Sequence, residues 1–129
     1  MNNKTKFSCI DIGLKRIGIA ICLSSSIVTP YQAIIRKNRN QASKDIDIFL
    51  KDWDIDTLIV GYPSSSKDMQ IRIKHFVNLL KFEGPIIYQE ENMSSIEAKE
   101  LIKGDIKQKR DGRIDSLAAS IILKRYLNI

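Results

Sequence analysis

The sequence predicts an α/β fold: a mixed five-stranded sheet, made of a three-strand antiparallel meander and two parallel strands, with helices on both faces. Three observations carry that expectation. Two front apolar segments, the second alternating with period two, are joined by a short Gly-containing turn. Thr57 to Val60 is a short continuous apolar run, the pattern of a strand buried on both faces, and Ile86 to Tyr88 is the next strand. Between and after them apolar residues recur at helical spacing, so strand and helix alternate.

The elements follow in order. Phe7 to Asp11 and Arg16 to Cys22 read as a hairpin, with β-branched Ile17, Ile19 and Ile21 on one face and small Gly18 and Ala20 on the other. Tyr31 to Arg36 is expected to close the meander. From Ala42 to Trp53, Ile46, Phe49, Leu50 and Trp53 form a helical stripe. The strand Thr57 to Val60 ends in Gly61-Tyr62-Pro63, and Ser64-Ser65-Ser66 leads into a helix striped by Met69, Ile73, Phe76, Val77 and Leu80, which Gly84-Pro85 is expected to stop. After Ile86 to Tyr88, Ser94-Ser95-Ile96-Glu97 has the form of a capping box opening a helix to Lys103. A final helix is expected from about Ile114 to Leu127, burying Ile114, Leu117, Ala118, Ile121 and Ile122, with Ala118 and Ala119 small enough for close approach to the sheet.

A chain of 129 residues fits one domain spanning 1–129. Its 43% apolar and 28% charged content is that of a soluble protein, no stretch is apolar enough to span a membrane, and the first residues lack a signal-peptide core, so the cytoplasm is expected. Cys9 and Cys22 lie in strand candidates that pair, yet read as small core residues, without the CxxC spacing of a zinc or redox site. The 21 Lys and Arg against 15 Asp and Glu give a net charge of +6, which favours a polyanionic partner.

Asp11 is the residue that most needs an explanation, because an acid at the exit of a buried strand is costly unless something cationic receives it. In such sheets ligands gather beyond the carboxyl ends of parallel strands, the edge to which the topology also brings Glu90-Glu91 and Asp115. Each has an ordinary alternative: turn amides for Asp11, a solvated loop for Glu90-Glu91, and a first-turn helix-dipole interaction for Asp115. Their convergence favours a site, and oxygen donors without a histidine cluster suit Mg²⁺ or Mn²⁺ rather than zinc. The single histidine, His75, lies opposite its helix's apolar stripe and is expected to be solvated. Nucleophile schemes that need a placed imidazole are thereby disfavoured, and metal-activated water in phosphodiester hydrolysis is the simpler chemistry.

Basic residues surround these acids. Lys15 and Arg16 follow Asp11, and Lys107, Lys109, Arg110 and Arg113 crowd the approach to Asp115, where they could hold a nucleic-acid backbone. Arg36, Lys37 and Arg39 read as a solvated loop. Aromatic residues are scattered, so recognition by shape and backbone is expected rather than base stacking.

At these residues the chain resembles a known family. The segments Asp11 to Ala20, Ile59 to Pro63, Glu90 to Ala98 and Ile114 to Ala119 look like the ordered motifs of the YqgF (RuvX-like) family, and the resemblance covers essentially the whole chain. It implies a ribonuclease H-like fold and an activity described as Holliday junction resolution, with a role in maturing the 5′ end of pre-16S ribosomal RNA. It further implies that Asp11, Glu91 and Asp115 are the catalytic, metal-binding acids, with Glu91 preferred to Glu90. The chain departs from the family's Asp-Glu-Arg by carrying Glu90 and Asn92, and Asn offers neither the charge nor the fork of a guanidinium. Tyr62 and the serine loop after Pro63 also differ from the family's usual leucine and glycine-containing loop.

The leading expectation is therefore a metal-dependent endonuclease on structured nucleic acid, processing pre-16S rRNA, possessing ribosomal particles as partners and acting as a monomer or homodimer. A four-way DNA junction is the alternative substrate. A non-catalytic ribosome-assembly or nucleic-acid-binding factor would keep the basic surface without cutting. An Asp-x-Gly hairpin also opens the actin and sugar-kinase ATPases, but those need two such domains and this length supplies one.

Overall fold

The computed structural model describes residues 5–24, 27–91 and 113–129, with side chains of the last segment from Ser116 onward. Strands β1 (Phe7–Ile12), β2 (Arg16–Cys22) and β3 (Thr29–Ile35) are followed by helix α1 (Arg39–Asp52), β4 (Thr57–Tyr62), α2 (Lys67–Val77), β5 (Ile86–Glu90) and α3 (Arg113–Leu127). They form one five-stranded sheet of order β3-β2-β1-β4-β5. β1 and β2, and β2 and β3, run antiparallel, whereas β4 is parallel to both β1 and β5. This is the expected mixed sheet.

Period-two alternation assigns each strand residue to a face. Ile10, Ile12, Ile17, Ile19, Leu58 and Val60 pack with Ile46, Phe49 and Leu50 of α1 and Ile73, Phe76 and Val77 of α2. On the other face Cys9, Ala20, Cys22 and Ile59 pack with Ala119, Ile122 and Leu123 of α3. Both cysteines are free and buried, as expected of core residues.

Several local expectations are corrected. α1 begins at Arg39 rather than Ala42, because Asn38 and Gln41 form a reciprocal capping box ahead of it. α2, capped by the Ser66 hydroxyl, ends at Val77 and not at Gly84-Pro85, because Leu79 and Leu80 turn tightly onto the Phe76 and Val77 carbonyls and the Asp47 carboxylate accepts from Lys81 N. Among the described side chains of α3 the buried ones are Ser116, Ala118, Ala119, Ser120, Ile122 and Leu123, Leu117 and Ile121 are half-buried, and that of Ile114 lies outside the described residues. The helix lies on Cys9, Ala20 and Gly61, a floor of small residues, so it turns its own small face inward. The capping box at Ser94 to Glu97 and its helix lie outside the described residues.

Candidate active site

Asp11 is the fifth residue of β1 and shares the α3 face with Cys9. Its partner across the ladder is Gly18 of β2, which has no side chain to fill the space over it. On its other side β4 runs parallel, its last ladder pair with β1 being Ile10 with Val60, so Gly61 comes next to Asp11. The turn after Asp11 closes with Gly13 N donating to Arg16 O at 2.9 Å. A Cβ on Gly13 would stand 2.7 Å from that same carbonyl oxygen, so the turn needs glycine.

Glu91 follows β5, and its N–H donates to Tyr62 O at 3.2 Å, carrying the β4–β5 ladder one residue further. Alternation along β5 puts Ile87 and Glu91 on the α3 face and Tyr88 and Glu90 on the α2 face. Glu90 is accordingly exposed on the side away from Asp11. The Glu91 carboxyl lies over Gly61: a Cβ there would be 3.3 Å from both Cδ and Oε1 of Glu91, and 2.8 Å from Cδ1 of Ile122. The bare backbone of Gly61 is what lets strand, acid and helix meet.

The two acids meet directly. Burial, the Asp11 charge and a hydrogen bond between the two side chains push Glu91 from an ordinary 4.5 up to about 8. A hydrogen bond between two carboxyl groups requires that one hold a proton, so the pair carries less than its full negative charge near neutrality. Cys9 below them is held well above the ordinary thiol range by burial, then by Asp11 and Glu91, and is no nucleophile.

Asp115 is the third residue of α3, and its side chain lies outside the described residues. Its neighbour Ser116 fixes the start of the helix. The Ser116 hydroxyl accepts from Ile19 N at 3.1 Å and donates to Tyr31 O. The β2–β3 ladder there pairs Ile17 with Ile34 but Ile19 with Tyr31, so β3 has one residue more than β2 and a gap that the serine fills. By helical register Asp115 stands one turn before Ala119 and two before Ile122, the residue over Gly61.

Of the basic residues expected near the site, Lys15 and Arg16 are exposed in the turn after Asp11. Arg113 opens α3 with its side chain outside the described residues, as Lys107, Lys109 and Arg110 are altogether. Arg36 and Arg39 are corrected: Arg36 Nη1 donates to Gly13 O at 2.7 Å and its guanidinium stacks on Phe76, while Arg39 contacts His75, so neither is merely a solvated loop residue. His75 is exposed, as expected. Ser116 and Gly61 shape the site without having been singled out for it, and only the small-residue pattern of their segments hinted at them. Some of the aromatics scattered in sequence meet in the fold, Tyr31, Phe49 and Trp53 in one group and Tyr62 and Tyr88 at 5.1 Å in another, with Lys74 Nζ 5.5 Å from the Tyr62 ring.

Comparison with known proteins decides the family. A model described as "RuvX: Holliday junction resolvase" matches residues 5–129. The chain belongs to the RuvX family. Relatives bearing the name "Putative pre-16S rRNA nuclease" are 54% identical over 127 residues in Sulfurovum sp. (96% of this chain, 99% of that one) and 51% identical over 125 residues in Sulfurimonas denitrificans (95% and 96%). Two solved structures share the fold: the Thermus thermophilus RuvC bound to a Holliday junction substrate (13% identity, TM-score 0.57, 96% of this chain and 95% of that one) and the fowlpox virus Holliday junction resolvase (15%, 0.58, 96% and 99%). The RuvX chain thus has the ribonuclease H-like fold of the resolvases, and its family and relatives are nucleases. No described helix is long and apolar enough to cross a membrane.

The described side chains also bear on a divalent cation. Two carboxyls pressed together with a shared proton form a hard, oxygen-only donor pair short of positive charge, and they fit Mg²⁺ or Mn²⁺. No group of three ligating side chains occurs among the described residues, Asp115 being outside them.

Proposed function

We propose that this RuvX-family chain is a divalent-metal-dependent endonuclease that trims the 5′ end of pre-16S rRNA on ribosomal particles in the cytoplasm, as a monomer or homodimer. The observation that carries this reading is the contact between Asp11 and Glu91 at the carboxyl edge of β1 and β5. Nothing in the fold requires two acids to share a half-buried space, and their mutual repulsion is a cost that a ligand would relieve.

In this reading Asp11, Glu91 and Asp115 hold Mg²⁺ or Mn²⁺, which when bound lowers the pKa of an attacking water and offsets charge on the leaving oxygen. The chain's own residues do the rest. Gly18, opposite Asp11, leaves space over the sheet for the substrate's phosphate, and Gly61 lets the Glu91 carboxyl reach that space. Lys15 and Arg16 lie beside it to receive the neighbouring backbone, with Lys107, Lys109, Arg110 and Arg113 proposed to approach from the other side. α3, packed on this face, shields the lower part of the pair from water.

The names of the relatives favour the RNA substrate. The description of the family and the titles of the two structural neighbours favour a four-way DNA junction as the second reading. The test is to incubate the protein with labelled pre-16S leader RNA and with a four-way junction, in Mg²⁺, Mn²⁺ or EDTA, beside an Asp11→Asn variant. Cleavage of one substrate that requires both the cation and Asp11 supports the proposal and chooses the substrate. Cleavage surviving EDTA and the substitution overturns the metal mechanism, and tight salt-sensitive binding without cleavage points to an assembly factor.

A further inference from the structure

On the α1–α2 side of the sheet, Arg36, Arg39, Arg72 and His75 converge on a cleft of about 360 Å³ walled by Ile12 and Met69. The three arginines come from three places in the sequence: the end of β3, the first residue of α1, and the middle of α2. Their convergence is built. Arg36 is anchored by its bond to Gly13 O at 2.7 Å and by the Phe76 ring 5.2 Å away. Arg39 Nη1 lies 2.8 Å from His75 Nδ1, and Arg72 Nε is held 3.2 Å from Asp68 one turn earlier on α2. Among the described residues Asp68 is the sole carboxylate paired with any of the three. Burial, and then the charges of Arg39 and Arg72, lower the pKa of Arg36, the direction expected of a cation held among cations.

Three guanidiniums around one concavity carry more N–H donors than their present partners use, in the planar geometry that matches phosphate oxygens. The cleft adjoins the carboxylate site without overlapping it. Ile12 lines it and follows Asp11 on the opposite face of β1, and the Gly13–Arg16 turn, bearing Lys15 and Arg16, lies between the two. We propose that this cleft is a second anion site that binds a backbone phosphate of the nucleic acid outside the segment held at Asp11 and Glu91. That the phosphate belongs to nucleic acid rests on the nuclease reading; that the cleft binds phosphate does not.

His75 is the chain's single histidine, so its imidazole resonances report on the cleft alone. Metal-free protein is titrated with inorganic phosphate at constant ionic strength and fixed pH, beside an Arg39→Gln/Arg72→Gln variant at two exposed positions. The site predicts a saturable His75 shift that the double variant loses. No saturable shift, or an equal one in the double variant, overturns it.

The second arm measures binding of labelled leader RNA in EDTA across a salt series. The double variant is expected to bind roughly tenfold more weakly with a salt slope smaller by about one to two, one released counterion per lost phosphate contact. A Lys44→Gln/Lys51→Gln control, removing the same charge from exposed positions elsewhere on α1, is expected to stay within about twofold. Equal losses in both variants overturn the proposal in favour of net charge. A His75 response without any effect on RNA binding overturns the backbone assignment and points to a free phosphate. Wild-type protein that neither binds nor cuts nucleic acid defeats the nuclease reading, while the phosphate titration still decides the cleft.

Discussion

The Ser116 hydroxyl accepts the amide proton of Ile19 across 97 residues of sequence while donating to the Tyr31 carbonyl. It closes a gap in the β2–β3 ladder and ties the first turn of α3 to the strand that lies opposite Asp11. Ser116→Ala leaves a buried amide and a partly buried carbonyl without this partner. A loss of about 1–3 kcal/mol is expected in denaturant unfolding, since an unmade buried hydrogen bond costs that much. Cleavage by the still-folded variant is expected to fall further than stability accounts for, because Asp115 rides on the same turn.

Asp11→Asn and Glu91→Gln each remove a carboxylate from the proposed metal site without removing bulk. Each is expected to lower the cleavage rate by on the order of 10²-fold or more, the scale of losing one directed electrostatic group at a reacting centre. Neither should unfold the protein. Rates measured under single-turnover conditions, with circular dichroism as the folding control, check both halves.

The raised pKa of Glu91 sets a pH dependence with a definite sign. Between 4.5 and about 8 the metal-free folded protein holds a proton that the unfolded chain has released, so its stability falls as pH rises through that window. The contribution is complete below 4.5 and gone above about 8. Melting temperatures in EDTA should therefore decline across the window more steeply for wild type than for Glu91→Gln. Added Mn²⁺ should restore the wild type toward the upper end, since a cation favours the ionised pair.

Gly61→Ala tests the close approach of three elements at once. Its methyl would meet Ile122 Cδ1 at 2.8 Å and the Glu91 carboxyl at 3.3 Å. Overpacking of this kind costs about 1–3 kcal/mol. Cleavage should drop as well because Glu91 must move, and pairing the change with Ile122→Val, which shortens the obstructing side chain, should recover stability before activity.

Much of the fold was legible because the sheet is patterned simply. Ile17, Ile19 and Ile21 against Gly18 and Ala20 fix the faces of β2, and the continuous apolar run of β4 marks a buried parallel strand, while β5 lies half-buried at the sheet edge. Parity alone separates Glu91 from Glu90 once Asp11 is known to share a face with Cys9 and α3. The start of α1 was also readable, since Asn38 and Gln41 have capping-box spacing; the apolar stripe drew attention to Ala42 instead. The face that α3 buries was readable only in part: Ala118 and Ile122 are buried as expected, but Leu117 and Ile121 are not fully so. It depends on the depth of the floor beneath, where Gly61 and Ala20 admit serine and alanine and leave Leu117 and Ile121 half outside. The arginine cleft was hidden for a related reason: Arg36 and Arg72 are distant in sequence, and only the packing of α2 beside the end of β3 makes them neighbours.

The long reach of the Ser116 tether has a consequence for how activity appears during folding. Contacts so distant in sequence form late, after the costly closure of a large loop. A chain whose strands have paired but whose α3 has not docked presents Asp11 and Glu91 with no lid over Gly61 and Asp115 still adrift. If all three acids are needed to cut, as proposed, competence would await the docking of α3, and an immature copy would be harmless to the nucleic acid around it.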